Sequence, residues 1–269
     1  MPELPEIASR ARQMNTELHG KVIQSVEVIQ PKCLNLPVAD FQAALSGCTI
    51  QEITYRGKWL FVHLTRGWLL LNLGMGGEIL LVTRSSLPEK YRLMLDFTDG
   101  SCLSINFWWF GHAHYVEENG LAHHEMTRKL GPNALELNAA DLKRIFNRKA
   151  GRVKSILLNQ SKIAGIGNAY IHDILFLARL HPLRPVNSLT DTEIEGLADA
   201  IQRGLRPSLE KNGAFYEVDL HGWSGSFTME DILIGYKEGQ PCPQCHSPIQ
   251  KIKTGSTSSF ICPHCQPLT

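Results

Sequence analysis

Apolar and polar positions divide the chain into a strand-rich first half and a helix-rich second half. Residues 1–15 are expected to be helical after Pro2, because Ile7, Ala11 and Met14 recur at helical spacing. Short runs rich in β-branched and aromatic residues follow between turns, and they predict strands at 22–28, 50–55, 60–64, 68–73, 78–82, 92–97 and 102–107. Strands at this spacing are typical of a sandwich or a barrel.

Helical periodicity takes over near Gly131. It predicts helices at 139–147, 154–159, 168–178, 191–212 and 229–234. Residues 213–227 show no clear period and are expected to form a mobile loop. We therefore predict an α+β multidomain chain with a β-rich domain at 1–130, a helical domain at 131–237 and a small C-terminal domain at 238–269.

Four cysteines near the end of the chain carry the strongest chemical signal. Cys242 and Cys245 form one CxxC pair, and Cys262 and Cys265 form a second pair after sixteen intervening residues. Two such pairs can place four thiolates around one structural zinc ion, and the alternating segment between them predicts a β-hairpin. A redox CxxC pair is the alternative, but it normally follows a strand in a βαβ unit, which the pattern lacks. Four cysteine ligands leave zinc no open position, which argues against zinc catalysis.

Composition and charge limit the possible partners and the location of the protein. The 269 residues are 43% hydrophobic, enough for a sizeable core, and the net charge of +1 does not by itself indicate a polyanionic partner. Six cations without an acid lie at 143–154, and they suit either a solvated helix face or a phosphate-binding surface. No apolar stretch has the length of a membrane span or a signal peptide, so we expect a cytoplasmic protein with no membrane partner.

The N-terminus could carry a nucleophile. Removal of Met1 before a small residue would leave Pro2 as a secondary amine, and an α-amino group with a pKa near 8 is partly uncharged at neutral pH. Such an amine can attack an electrophilic carbon, and the adjacent Glu3 could act as a general acid or base. Taken alone, Pro2 indicates only the start of a helix.

Two turns could meet phosphate groups. Gly165 and Gly167 precede Asn168 before a predicted helix, where backbone N–H groups and the asparagine amide can bind a phosphate. Lys58 lies in a hairpin turn and could supply a cation, while Met75 could be exposed in a glycine-rich segment after a strand. Each of these positions, taken singly, also fits an ordinary turn or a core residue.

Together these segments resemble the formamidopyrimidine-DNA glycosylase and endonuclease VIII superfamily, in the family's order and over nearly the whole chain. The matching segments are MPELPE at the N-terminus, RGK near 57, LGMGG near 75, FG at 110–111, AGIGNAY from 164 and the four-cysteine finger. MPELPE favours the formamidopyrimidine branch. The resemblance implies a β-sandwich catalytic domain with an N-terminal helix, a helical DNA-binding domain with a helix–two-turn–helix, and a zinc finger. It further implies a damaged-DNA partner, no nucleotide cofactor and a monomer associated with a bacterial nucleoid.

The resemblance also implies roles for the residues near the N-terminus. Pro2 is similar to the nucleophile that attacks sugar C1′ and expels the damaged base. Glu3 is similar to the residue that protonates the sugar ring oxygen, and Glu6 lies in the same pocket. The resulting Schiff base permits β- and δ-elimination, which cuts the strand. Lys58 completes the predicted catalytic set as a phosphate clamp.

The predicted DNA-binding residues follow from the same resemblance. Asn168 is similar to a second phosphate clamp, and Met75 and Phe110 match side chains that fill the void left by an extruded nucleotide. Gly165, Gly167 and Lys154, which belongs to the basic run, complete the phosphate-facing set, and the adjacent Trp108 and Trp109 join the void-facing set.

Three departures from the family pattern indicate altered DNA reading. Trp108 and Trp109 stand where the family carries two arginines, one for the orphaned opposite base and one for a phosphate. A tryptophan can stack, but it cannot donate a bidentate fork. Thr257 likewise replaces an arginine of the finger. We hypothesise a bifunctional glycosylase and AP lyase for oxidised or ring-opened purines with altered lesion or opposite-base preference. The alternative is a lyase-only or non-catalytic damage-binding protein.

Overall fold

The computed structural model describes residues 2–108, 110–147 and 150–268, which form two compact units. The first unit comprises Met1–Lys129 together with Lys211–Ser226, and the second comprises Leu130–Glu210 together with Phe227–Thr269. The segment 211–226 therefore belongs by its contacts to the β-rich unit, although it lies within the range predicted for the helical domain. The three-domain division with boundaries at 130 and 237 stays a prediction.

The first unit is a sandwich of two antiparallel four-stranded sheets. Its helices are α1 (Leu4–Leu18) and α2 (Val38–Leu45), and its strands are β1 (Ile23–Val28), β2 (Ile50–Arg56), β3 (Trp59–Leu64), β4 (Trp68–Asn72), β5 (Glu78–Thr83), β6 (Leu93–Phe97), β7 (Ser101–Asn106) and β8 (His112–Val116). The sheets have the orders β1-β6-β7-β5 and β2-β3-β4-β8. All seven predicted strands are confirmed, and the sandwich replaces the open choice between sandwich and barrel.

One apolar core joins both sheets to α1. Ile7, Ala11 and Met14, the residues whose spacing predicts the first helix, are buried in this core, as are Phe97 of β6 and Leu60 of β3. Burial of such side chains is worth roughly 1.5–3 kcal/mol each. The start of α1 is thus held on a rigid support.

Strand β8 and helix α2 were not predicted. In β8 the histidines at 112 and 114 make the segment look polar, yet both rings are packed: His112 stacks on Trp59 with ring centroids 5.8 Å apart. His114 Nδ1 lies 2.9 Å from His124 Nε2, and burial lowers the pKa of His114 to about 4. The histidines therefore behave as neutral aromatic packing residues at neutral pH.

The second unit is helical with a terminal hairpin. Its elements are α3 (Ala139–Phe146), α4 (Val153–Leu157), α5 (Ile171–Leu177), α6 (Asp191–Glu210), β9 (Gln250–Thr254) and β10 (Thr257–Ile261). Across both units, 3-10 turns lie at Pro31–Cys33, Arg84–Ser86, Glu118–His123, Ala134–Glu136 and Val186–Ser188. The four predicted helices of this region and the predicted hairpin are confirmed. None of the helices in the described parts of the chain is long and apolar enough to cross a bilayer.

The predicted helix at 229–234 is wrong, and a buried carboxylate explains why. Asp173 on α5 accepts hydrogen bonds from the backbone N–H groups of Leu233, Ile234 and Gly235 at 2.7, 2.9 and 3.0 Å. These amides are consequently unavailable for a helical ladder, and the segment folds as turns around the carboxylate. Asp173 thereby fixes the approach of the chain to the finger.

We expect Asp173→Asn to destabilise the second unit by about 1.5–3 kcal/mol, because an amide accepts fewer of the three bonds and introduces a donor facing donors. Hydrogen exchange at 233–235 and chemical denaturation would measure the effect. Asp199→Asn is the matched control, since Asp199 is exposed and pairs with Arg203 one turn further along the same helix. Equal stability of the two variants would contradict the assigned role.

Candidate active site

The start of α1 brings the predicted acid and base residues together. Glu3 is the N-cap of the helix, and its backbone N–H donates to Glu6 Oε2 at 2.8 Å. Both carboxylates are buried, with 4% and 5% of their surfaces exposed, and Pro2 immediately before them is buried as well. The helix N-terminus favours negative charge at this place. The local sequence therefore holds two carboxylates beside the N-terminal proline.

Lys58 joins this group from the turn between β2 and β3. Its Nζ lies 3.8 Å from Glu3 Oε1, an ionic contact rather than a hydrogen bond, and the residue is only 9% exposed. Gly57 permits the tight turn with a φ of +58°. Four predicted catalytic residues thus lie in one buried region, although their individual roles remain predictions.

The segment 211–226 returns to α1 and closes over the carboxylates. The backbone N–H of Ala214 donates to Glu6 Oε1 at 3.1 Å. Gly213 has a φ of +97°, and a Cβ at this position would lie 3.0 Å from Glu6 Cγ. Further along, the N–H of Leu220 donates to Gln13 Oε1 at 3.2 Å. The predicted loop is irregular, but it is attached along the helix rather than detached from the fold.

Glu217 is a site residue that the sequence analysis missed. Burial, together with the nearby charge of Glu6, raises the pKa of Glu217 to about 7. Arg10 lies among the same acidic groups, donates from Nη1 to the carbonyl of Ile79 at 3.1 Å, and has its pKa lowered to about 10 by burial. No local pattern marks Glu217, because it reaches α1 across more than two hundred residues of chain. A carboxyl group that titrates near neutrality can give or take a proton.

Exposed apolar side chains crowd two connections of the sandwich. Met75 between β4 and β5 is 54% exposed, and Trp108 and Phe110 between β7 and β8 are 67% and 79% exposed. Phe110 has a φ of +58°, which costs a non-glycine residue roughly 1–2 kcal/mol. Exposed apolar bulk held in a strained backbone suits insertion into a gap. Trp109 lies outside the described residues.

The glycine turn before α5 uses its amides internally. Gly165 has a φ of +106°, and its N–H donates to Gln160 Oε1 at 2.9 Å. Gly165 and Gly167 are buried, whereas Asn168 is exposed. The predicted amide cradle is therefore already occupied at Gly165, and Asn168 is the part of this turn that is open to a ligand.

Lys154 lies elsewhere than its predicted phosphate contact. It is 2% exposed, and its ammonium lies 2.7–3.0 Å from four oxygens of the β9–β10 hairpin. One of these is the hydroxyl of Thr257, at 3.0 Å. The lysine thus ties α4 to the hairpin. It is not one of the exposed cations, in contrast to the prediction. Arg148 and Lys149 of the same basic run lie outside the described residues.

The four predicted metal ligands converge. The sulfur atoms of Cys242, Cys245, Cys262 and Cys265 all lie within 4.8 Å of one another, with two of the separations at 3.9 and 3.4 Å. Thiolates bound to zinc at about 2.3 Å in a tetrahedron are roughly 3.8 Å apart. The cluster therefore fits one structural zinc ion, which would staple a hairpin too small to fold alone.

Comparison with known proteins agrees with these features. Family models match as follows: the formamidopyrimidine-DNA glycosylase N-terminal domain at 1–106, its H2TH domain at 130–218, and the zinc finger found in FPG and IleRS at 239–268. The formamidopyrimidine-DNA glycosylase of Chloroflexus aurantiacus is 34% identical over 272 residues, covering 99% of this chain and 98% of the relative. That of Streptococcus mutans is 33% identical, covering 99% of both chains. The chain belongs to the formamidopyrimidine-DNA glycosylase family.

Solved structures of the family share the whole fold. The wild-type Lactococcus lactis formamidopyrimidine-DNA glycosylase, in complex with DNA that contains N7-benzyl-Fapy-dG, aligns with a TM-score of 0.90 at 28% identity, covering 99% of this chain and 100% of that one. The L. lactis enzyme with abasic-site DNA aligns equally well, with a TM-score of 0.90 at 27% identity and over 98% and 99% of the two chains. The protein is accordingly a DNA-repair glycosylase, and its C-terminal part is the zinc finger of this family.

We expect the purified protein to hold one zinc ion per chain, measured by elemental analysis, and Cys245→Ala to abolish this stoichiometry. Without zinc, amide exchange in β9 and β10 should rise to the rate of an unfolded segment, because the metal supplies the stability of the hairpin. Cys33→Ala, which removes a buried cysteine of the sandwich, should keep the zinc. Full zinc content in Cys245→Ala would contradict the four-ligand site.

The raised pKa of Glu217 predicts a pH-dependent stability. The folded chain holds this proton up to about pH 7, whereas an unperturbed glutamate releases it near 4.5. Protonated Glu217 therefore stabilises the folded state fully below pH 4.5, and this stabilisation is lost as the pH rises to 7. We expect Glu217→Gln to raise the melting temperature relative to the parent by about 2 °C or more at pH 8 but not at pH 4.5. The exposed Glu52→Gln should show no such dependence, and a pH-independent difference for Glu217→Gln would refute the assignment.

Proposed function

We propose that the protein is a bifunctional glycosylase and AP lyase that uses the amine of Pro2, freed by removal of Met1, as its nucleophile. The amine attacks C1′ of a damaged nucleotide, the C1′–N bond breaks, and the base leaves with a proton. A proton delivered to the ring oxygen then lets the C1′–O4′ bond break, and the nitrogen lone pair forms an iminium at C1′ of the opened sugar. The iminium acidifies the neighbouring C2′ proton, so that β- and then δ-elimination expel the flanking phosphates. The observation that supports this chemistry is the buried group of Glu3, Glu6 and Lys58 directly beside Pro2.

Glu3 is the group we assign to proton transfer at the sugar. Its carboxylate is buried and 3.8 Å from Lys58 Nζ, so its position is set by the protein before DNA arrives. A positioned acid or base contributes about 10²–10⁴-fold to a proton-transfer step. Lys58 is close enough to balance the carboxylate charge and could meet the phosphate next to the opened sugar. Glu217 is a second carboxyl that could exchange protons in the same region.

Damaged DNA is the substrate class that this site fits. The family enzyme of L. lactis was solved with DNA containing N7-benzyl-Fapy-dG or an abasic site, and we propose oxidised or ring-opened purines for this chain. Met75, Trp108 and Phe110 present the exposed apolar bulk that an extruded nucleotide requires in its place. Trp108 carries no guanidinium, so we propose that the preference for the opposite base differs from that of relatives with arginine here.

Borohydride trapping would test the proposal, with the Met1-processed protein, an abasic duplex and a duplex bearing 8-oxoguanine opposite cytosine. A covalent adduct on both duplexes is expected. A form with an uncleaved N-terminal extension should give none, because its proline nitrogen is an amide. An adduct on abasic DNA alone would favour the lyase-only alternative for this lesion, and adducts on neither would favour a non-catalytic damage-binding protein.

Glu3→Gln should slow base release by about 10²–10⁴-fold while leaving binding to a non-cleavable abasic analogue within a few-fold of the parent. Single-turnover excision and fluorescence anisotropy would measure the two effects separately. Glu52→Gln, an exposed position on β2, should leave both unchanged. Base release at the parent rate in Glu3→Gln would remove the proton-transfer role from this residue.

A further inference from the structure

Three histidines form a cluster on the second sheet of the sandwich, on the face that points away from the core. His112 and His114 lie on β8 on either side of Ala113. Because Ala113 is buried in the core and successive side chains of a strand alternate, the two rings lie on the opposite face. His124, which follows the 3-10 turn Glu118–His123, completes this histidine cluster. The ring centroid of His114 lies 5.1 Å from those of both other histidines.

Trp59 of β3 contacts all three rings. The residue is only 5% exposed, and its indole is stacked on His112. The ring centroids of His114 and His124 lie 6.1 and 5.8 Å from that of the indole, and His124 meets it edge-on. Packing around this buried tryptophan therefore attaches the segment 118–127, which carries His124, to the sheet.

The hydrogen bonds of the cluster require neutral rings. The backbone N–H of Thr127 donates to His124 Nδ1 at 3.3 Å, so this nitrogen carries no proton. The proton of His124 consequently lies on Nε2, which donates to His114 Nδ1 at 2.9 Å. A chain of two bonds thus runs from Thr127 through His124 to His114, and both rings use a lone pair as the acceptor.

Protonation of the cluster disrupts this chain of bonds. A proton on His114 Nδ1 would face the N–H at His124 Nε2, and two donors cannot bond to each other. His124 could accept from His114 only by moving its own proton to Nδ1, where the N–H of Thr127 already points. If both rings were charged, two cations would also repel each other at a centroid distance of 5.1 Å. Protonation therefore costs the folded cluster at least one hydrogen bond.

The elements around the cluster supply little compensating negative charge. Strand β4 places the uncharged Asn72 and Leu70 opposite the two histidines of β8. Within the described parts of the chain, no carboxylate lies at ion-pair distance from the cluster, and Glu118 pairs with His63 instead. The exposed Glu125 favours a charge on the third histidine, but burial and a neighbouring histidine lower the pKa of that ring nonetheless.

Acid is the condition that weakens the cluster. Burial, together with the charges of His112 and His124, lowers the pKa of His114 from 6.5 to about 4. The neutral ring therefore stabilises the attached segment fully above pH 6.5, and this stabilisation is lost as the pH falls toward 4.

We propose that the histidine cluster is an acid-sensitive switch that holds residues 118–127 on the sheet at neutral pH and releases them in acid. The segment precedes Leu130, where the second unit begins. Release would free the last part of the first unit just before the chain enters the second. The inference is independent of the proposed function, because none of these residues belongs to the candidate active site.

Hydrogen exchange of the segment at pH 7.5 and pH 5, corrected for the intrinsic pH dependence of exchange, tests the proposal. A pKa of about 4 in the attached segment and 6.5 in the released one predicts that His114 alone lowers protection by about 30-fold at pH 5. His114→Asn keeps an acceptor near the position of Nδ1 but cannot titrate. Its protection should match that of the parent at pH 7.5, and its loss at pH 5 should be smaller than the parent's by about that factor.

His123→Asn is the matched control, because His123 is exposed on the same segment. This variant should keep the full pH dependence of the parent. The same pH dependence in His114→Asn and in the parent would overturn the proposal. A loss of protection at pH 5 that extends equally to β6 and β7 would also overturn it, since that result would indicate global unfolding rather than release of one segment.

An NMR titration of the parent protein gives an answer even if His114→Asn folds poorly. The imidazole signals of His114 should titrate well below pH 6.5, over the same range in which the exchange of the segment changes. Titration of His114 near pH 6.5 in the folded protein would show that the cluster does not hold this ring neutral, and the proposed switch would then be wrong.

Discussion

The carboxylate of Glu6 is the interaction on which the candidate site depends. One of its oxygens accepts the N–H of Glu3 at 2.8 Å, and the other accepts the N–H of Ala214 at 3.1 Å. Hydrogen bonds to a charged group are worth about 1.5–3 kcal/mol each, and a buried charge without them would be strongly unfavourable. A single side chain thus joins the beginning of the chain to a segment more than two hundred residues away. Its geometry also explains Gly213, since a Cβ there would press on Glu6 Cγ.

The residues proposed for catalysis and those proposed to face DNA obey different structural constraints. Glu3, Glu6 and Lys58 are buried and positioned by backbone amides and by one another, so a substitution at any of them disturbs the others. Trp108 and Phe110 are exposed and depend on backbone geometry, through a glycine neighbour in one case and a left-handed φ in the other. The second set can therefore change without unfolding the sandwich. That difference is a physical reason why the N-terminal motif matches the family while the aromatic connection departs from it.

Residue periodicity and spacing predicted the elements that interactions between sequence neighbours determine. The apolar stripe of α1, the seven strands and the two CxxC pairs all follow from periodicity or spacing, and the structure contains each of them. The failures are non-local. The segment at 229–234 has a helical pattern, but Asp173 captures its amides from another element. The surroundings of Glu217 are formed by segments that are distant from each other in the sequence. No local spacing of residues therefore predicts them.

The contacts of Lys154 depend on which residue stands at position 257. The resemblance to the family predicts a phosphate-binding arginine at position 257, where this chain has Thr257. In the structure the hydroxyl of Thr257 is one of four oxygens around the buried ammonium of Lys154. The threonine therefore helps to attach α4 to the hairpin. An arginine there would leave this buried cation with one oxygen fewer. The exposed lysines of the finger are instead Lys251 and Lys253 on β9.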